Sequence, residues 1–153
     1  MTKEEKCIWA INTGYKYDPE SGLIYNRYNK LVNTPSKSTG YIQLNIQLED
    51  KTLKLYGHQF AWYWVHKECA NEIDHINGAR YDNRLCNLRS VTRQQNQWNR
   101  TTAKGYHWDK KNKKWRAHIT LNKKSINLGH FNTEEQARQA YLDAKQKFHV
   151  TLK

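Results

Sequence analysis

Two stretches decide the reading of this chain: Asn71-Glu72-Ile73-Asp74-His75-Ile76-Asn77-Gly78, and Asn87-Leu88-Arg89-Ser90-Val91-Thr92-Arg93-Gln94-Gln95-Asn96. Ile73 to Ile76 fits a short strand, Asn77-Gly78 a tight turn and Leu88 to Val91 a second strand. Thr92 with Gln95 three residues on is a capping-box signature, so a helix is predicted from about Arg93 to Arg100. This places Asn96 on the first turns of that helix. Two strands and a helix thereby carry a carboxylate beside an imidazole, with two amides behind them.

That set suits phosphodiester hydrolysis, which needs a base for the attacking water and a cation for charge on the phosphoryl oxygens. Asp74 offers a carboxylate oxygen and Asn96 an amide oxygen, a hard-oxygen pair that leaves room for water and phosphate around Mg²⁺. His75, with an ordinary imidazole pKa near 6.5, is the candidate base. Neighbouring side chains on a strand diverge, so Asp74 and His75 serve from opposite sides. Asn87 is the candidate brace, tying the loop after His75 to the backbone.

Upstream of this cluster the chain reads as strands. Residues 15–18 and 23–25 flank the turn Pro19-Glu20-Ser21-Gly22, a predicted hairpin. Residues 41–48 alternate strictly, with Ile42, Leu44, Ile46 and Leu48 on one face, and Thr52 to Tyr56 alternates again. His58 to His66 is dense in aromatics and free of turn formers, a predicted buried helix. His58 itself reads as a core histidine ahead of a phosphate contact.

Downstream, 106–108, 115–121 and 126–131 are strand-like. Thr133 with Gln136 opens a helix whose apolar face holds Ala137, Ala140, Tyr141, Ala144 and Phe148. A three-stranded sheet covered by one helix is the simplest assembly. In strand 115–121, Trp115, Ala117, Ile119 and Leu121 are expected to face the helix, leaving Arg116, His118 and Thr120 on the open face. Trp98, Trp108 and Trp115 are expected in the core.

The chain of 153 residues carries a formal net charge of +12. Thirteen Lys and Arg lie between Arg80 and Lys124 against only Asp82 and Asp109, so nearly the whole excess sits in less than a third of the chain. Such concentration favours a polyanionic partner over a merely solubilising surface. The three cysteines form no C-x-x-C pair, so neither a disulfide framework nor a structural zinc site is expected. No apolar run approaches a membrane span, and Met1 to Lys6 lacks the apolar region of a secretory signal.

The run Asp74-His75-x-x-Gly78, Asp82-Asn83-Arg84, Asn87-Leu88-Arg89, Asn96-x-x-Asn99 resembles the HNH motif of ββα-metal nucleases, particularly homing endonucleases of phage and introns. The resemblance implies that Asp74 and Asn96 bind one metal, His75 is the general base and Asn87 orients it. Here the last motif letter is Asn96 rather than His. Residues 105–148 resemble the ethylene-response-factor (Apetala-type) DNA-binding domain, through Lys114-Trp115-Arg116-Ala117-x-Ile119, Leu128-Gly129-x-Phe131 and Glu135-x-Ala137-x-x-Ala140-Tyr141. That domain lays its sheet in the major groove.

The expectation is an α+β chain. An HNH nuclease domain covers 1–100, with strands in 1–57 and the ββα-metal core at about 72–100. Residues 101–104 form a linker, and the Apetala-type reader spans 105–153. The expected activity is metal-dependent DNA cleavage of homing type, with one Mg²⁺ (or Mn²⁺) per active site, nicking double-stranded DNA as a monomer or cutting it as a DNA-bound dimer. No small-molecule cofactor and no membrane partner are expected, and the compartment is cytoplasmic (the host's, if phage-encoded). Expected DNA contacts are Arg84, Arg89, Arg93, Lys110, Lys111, Lys113, Lys114, Arg116, His118, Thr120, Lys124 and Asn127. Arg84 and Arg89 could instead pair with local carboxylates. The rival readings are a non-catalytic sequence-specific regulator and a structure- or damage-directed nuclease.

Overall fold

The computed structural model describes residues 1–98 and 104–149, without the side chains of Trp98 and His149. Expectations for Asn99, Arg100 and linker residues 101–103 lie outside these residues. The architecture is α+β, in two compact units, Met1–Val91 and Thr92–Lys153.

The first unit runs α1 (Lys3–Asn12), β1 (Lys16–Tyr17), β2 (Ile24–Tyr25), β3 (Gln43–Gln47), β4 (Thr52–Tyr56), α2 (Gly57–His66), β5 (Glu72–His75) and β6 (Leu88–Val91). Its strands form three antiparallel pairs, β1–β2, β3–β4 and β5–β6. The alternation of residues 42–48 does what a half-buried strand requires: Ile42, Leu44 and Ile46 are buried while Asn45 and Gln47 face water. Across the ladder Leu44 pairs with Leu55 and Ile46 with Leu53. These residues meet Phe60 and Ala61 of α2, Cys7 and Ala10 of α1, Tyr17, Ile24 and Leu88 in one core. Burying so many large side chains in one place is the main force holding the unit together.

The opening residues depart from the expected strands. Thr2 and Glu5 form a reciprocal capping box: the Glu5 N–H donates to Thr2 Oγ1 at 3.1 Å, and the Thr2 N–H donates to the Glu5 carboxylate at 2.7 Å. Two otherwise orphaned donors are satisfied, and a helix follows. At the start of α2, a Cβ on Gly57 would lie 2.8 Å from Asn83 Nδ2 and 3.1 Å from both Ile24 and Ile42. A side chain at this position would make Asn83 and the two isoleucines shift.

The second unit holds α3 (Arg93–Trp98), β7 (Tyr106–Asp109), β8 (Lys114–Leu121), β9 (Lys124–Phe131) and α4 (Glu134–His149). The capping box expected at α3 is present, with the Gln95 N–H donating to Thr92 Oγ1 at 3.2 Å and the Thr92 N–H to Gln95 Oε1 at 2.9 Å. The sheet order is β7-β8-β9, all antiparallel. Ala117 and Ile119 are buried, and Ile119 packs with Tyr141 and Ala144 of α4, flanked by Ile126, Leu128 and Phe148. The register slips between Ala117 and His118, where Ala117 faces Gly129 but His118 faces Asn127. Leu128 is the extra residue of the bulge. Trp108 departs from the core expectation. It stands on edge strand β7, 45 % exposed, with its ring edge-to-face against Trp115 at 5.4 Å. Among the described residues no helix is long and apolar enough to cross a membrane.

Candidate active site

The β5–β6 hairpin brings Asp74, His75 and Asn87 together. Register decides their surroundings. Asp74 is paired across the ladder with Arg89, and His75 with Leu88. Cross-strand partners share a face, so Asp74 and Arg89 stand on one side of the hairpin and His75 on the other. Arg89 grips Asp74 Oδ2 through Nε at 2.8 Å and Nη2 at 2.6 Å. This is a charge-assisted contact that fixes the carboxylate.

Asn87 ends a 3₁₀ turn, Leu85–Asn87, and is buried. Its Oδ1 accepts the Asn77 N–H at 2.9 Å. Its Nδ2 donates to Asn77 Oδ1 at 3.0 Å and to the Asp82 carbonyl at 2.9 Å. Backbone bonds from Ile76 N to the Asn87 carbonyl and from Gly78 N to the His75 carbonyl, each 2.9 Å, complete the loop. Gly78 adopts φ +76°, which suits the residue after Asn77 in a tight turn. The two ends of the loop that follows His75 are thus locked by a single amide.

His75 is buried and packed among rings. His58 meets it edge-to-face at 5.3 Å and Tyr41 lies tilted against it at 5.8 Å, while Arg80 lies over Tyr41 at 5.2 Å. The side chain that hydrogen-bonds to His75 is Asn83, whose Oδ1 lies 3.1 Å from Nε2. Asn87, the residue that the motif resemblance casts as orienting the histidine, bonds to the loop instead. Asn83 stands in the quoted motif, yet nothing local marks its role, because the contact exists only once the loop closes. Burial pushes the His75 imidazole below its ordinary value, outweighing the bond to Asn83 and the charges of Asp74 and Asp82. The ring is therefore neutral near pH 7, the state a general base requires.

His58 is pushed down further, to about 3, first by burial and then by His75. Its folded value lies below its unfolded one, so the unfolded chain binds more protons between about pH 3 and 6.5, and stability falls as pH drops through that window. Lowering the pH from 6.5 to 5 is expected to remove about 2 kcal/mol of unfolding free energy through this group. Urea titrations at pH 7 and pH 5 check it: His58→Phe should lose distinctly less stability than the wild type between the two.

Arg84 pairs with Asp82 through Nε at 2.9 Å and Nη2 at 2.6 Å, and Arg84 holds the Asp82 carboxyl down at about 2. Arg84 and Arg89 are thus each paired with a carboxylate. Asn96 sits on α3 in the second unit, half-buried. Arg93 is exposed on the same helix, and Lys110, Lys111, Lys113 and Lys114 are exposed around the β7–β8 turn. Asp109 shapes that turn by accepting from Lys111 N at 3.0 Å and Asn112 Nδ2 at 2.8 Å, and it also meets His130 at 3.1 Å. On the sheet, Arg116 pairs in register with His107 and His130, and His118 with Asn127. Arg116 Nε and His118 Nδ1 are buried without a partner among the described residues. Thr120, Lys124 and Asn127 are exposed.

The Asp74 carboxylate and the Asn96 amide each present a hard oxygen, the donor type that Mg²⁺ and Mn²⁺ prefer. Among the described residues no group of three or more His, Cys, Asp or Glu offers a different kind of centre.

No curated protein and no solved structure gives a significant match to this chain. Residues 56–98, the span that contains Asp74, His75, Asn87 and Asn96, match the family model described as HNH endonuclease, a similarity that supports nuclease activity on DNA.

Proposed function

We propose that this protein is a metal-dependent DNA endonuclease of homing type, in which His75 is the general base and the second unit directs the cut. The observation that carries the reading is a buried His75 in a locked hairpin beside an Arg89-held Asp74, inside the segment similar to HNH endonucleases. His75 takes a proton from a water, whose oxygen bonds to phosphorus as the P–O3′ bond breaks. The 3′ oxygen takes a proton from solvent, leaving 5′-phosphate and 3′-hydroxyl ends. Asp74 and Asn96 would hold the divalent ion, which when bound neutralises charge on the phosphoryl and leaving oxygens. Asn87 keeps the loop shut so that His75 and Asp74 keep their places. With one such cluster per chain, a monomer nicks one strand, and a double-strand cut needs a DNA-bound dimer or a second engagement. Action is in the cytoplasm, the host's if the gene is phage-borne.

Plasmid nicking with Mg²⁺ or Mn²⁺, with ends mapped, tests this. DNA binding without metal-dependent nicking would leave the non-catalytic regulator as the better reading.

For targeting, the support is the set Arg116, His118 and Thr120 on β8, alternating with the buried Ala117 and Ile119, with lysines exposed around the β7–β8 turn. The two buried nitrogens without partners in that set suit a polar ligand, and duplex DNA in the manner of the Apetala-type domain meets the need. Replacing Lys110, Lys111, Lys113 and Lys114 with Ala is expected to lower the slope of log K against log [salt] by about 0.9 for each phosphate that is no longer neutralised. Single-turnover cleavage at saturating protein should stay near wild type. An unchanged slope removes these lysines from the interface.

A further inference from the structure

We infer that Asn83 sets the tautomer of His75, holding the ring proton on Nε2 and leaving Nδ1 as the nitrogen that accepts the proton from water. The inference rests on the reading of His75 as general base, and it adds a positioning residue to that site. In a neutral imidazole one nitrogen donates and the other accepts, and the hydrogen bond made by one decides the role of the other. Asn83 presents its carbonyl oxygen, Oδ1, to His75 Nε2 at 3.1 Å, and an oxygen there can only accept. Nε2 must then carry the proton. Among the described residues the other ring nitrogen takes no hydrogen bond, so its lone pair is uncommitted.

The orientation of Asn83 is held from three sides. The Tyr17 hydroxyl donates to the Asn83 backbone carbonyl at 2.6 Å. Asn83 Nδ2 packs at the head of α2, where a Cβ on Gly57 would stand 2.8 Å from it. A Cβ on Gly22 would fall 2.4 Å from Arg84 N and 2.7 Å from the Asn83 carbonyl carbon, so the β1–β2 turn lies directly on this backbone. The side chain is 2 % exposed, and water does not compete for its oxygen. The hairpin at residues 16–25 thereby serves the active site although it carries none of its chemistry.

Nitrogen-15 correlation spectra of the full chain at neutral pH read the tautomer directly. The expected result is a pyrrole-like Nε2 and a pyridine-like Nδ1 on His75. A pyrrole-like Nδ1, or two equivalent nitrogens, overturns the inference, and this readout needs neither activity nor a variant. Asn83→Leu keeps the volume and removes the acceptor. It should lose the Nε2–H preference and lower kcat about 10- to 100-fold with KM little changed. Asn83→Asp keeps an acceptor and should restore the tautomer and most of kcat. Failure of Asn83→Asp to do so, with its melting temperature unchanged, also overturns the inference. Full cleavage by His75→Ala would sink the general-base reading instead, while the nitrogen shifts still decide the tautomer.

Discussion

His75→Ala is expected to lower single-turnover cleavage about 10²- to 10⁴-fold, the range that a positioned general base contributes. DNA affinity stays close to wild type, because the ring is 6 % exposed and offers a duplex almost no surface. The loss is chemical, so higher protein or substrate concentration does not recover it. The ring also fills space against His58 and Tyr41, and Ala leaves a cavity there. His75→Gln is therefore the companion variant: it keeps most of the volume, cannot take the proton, and is expected to be as inactive. Metal-dependent plasmid nicking, gel-shift affinity and a thermal melt separate the cases. Wild-type nicking by either folded variant removes His75 from the mechanism.

The residues of this site were legible in the sequence to very different degrees, and the physical cause is range. Thr92 and Gln95 announce α3 because a capping box closes within four residues, and the alternation at 42–48 announces β3 because a pleat is local. Thr2 and Glu5 carry the same capping signature at α1, but only Cys7 and Ala10 of that helix are buried, too thin an apolar stripe to stand out among charges. Arg89 and Arg84 read equally well as phosphate contacts or carboxylate partners. For Arg89 the decision lies in strand register, which sets it opposite Asp74. Asn83 and Asn87 are harder still. Both are asparagines in one loop, with nothing local to say which meets the histidine. The loop from residue 76 to 87 has to close before Oδ1 of Asn83 reaches His75 and the amide of Asn87 reaches Asn77. Sequence pattern picks out the candidate cluster, and tertiary closure decides which side chain each member touches.

That assignment yields opposite demands at two asparagines four residues apart. Asn87→Ala is expected to destabilise the first unit by about 3 kcal/mol, from the removal of three side-chain hydrogen bonds at roughly 1 kcal/mol each. The Asn77 N–H and the Asp82 carbonyl both lose their partners. Cleavage falls with stability, because His75 and Asp74 sit at the root of the loop that opens. The more discriminating change is Asn87→Asp. A carboxylate still accepts from the Asn77 N–H, but it cannot donate to Asn77 Oδ1 or the Asp82 carbonyl, and it sets a negative charge against both. It should therefore be at least as destabilising as Ala. At position 83 the needed function is an acceptor, and Asp is expected to serve. Urea unfolding of the four single variants, Asn83→Leu, Asn83→Asp, Asn87→Ala and Asn87→Asp, alongside their cleavage rates, tests the division. Stable, active Asn87→Asp protein would show that the loop does not depend on the donor pair assigned to that amide.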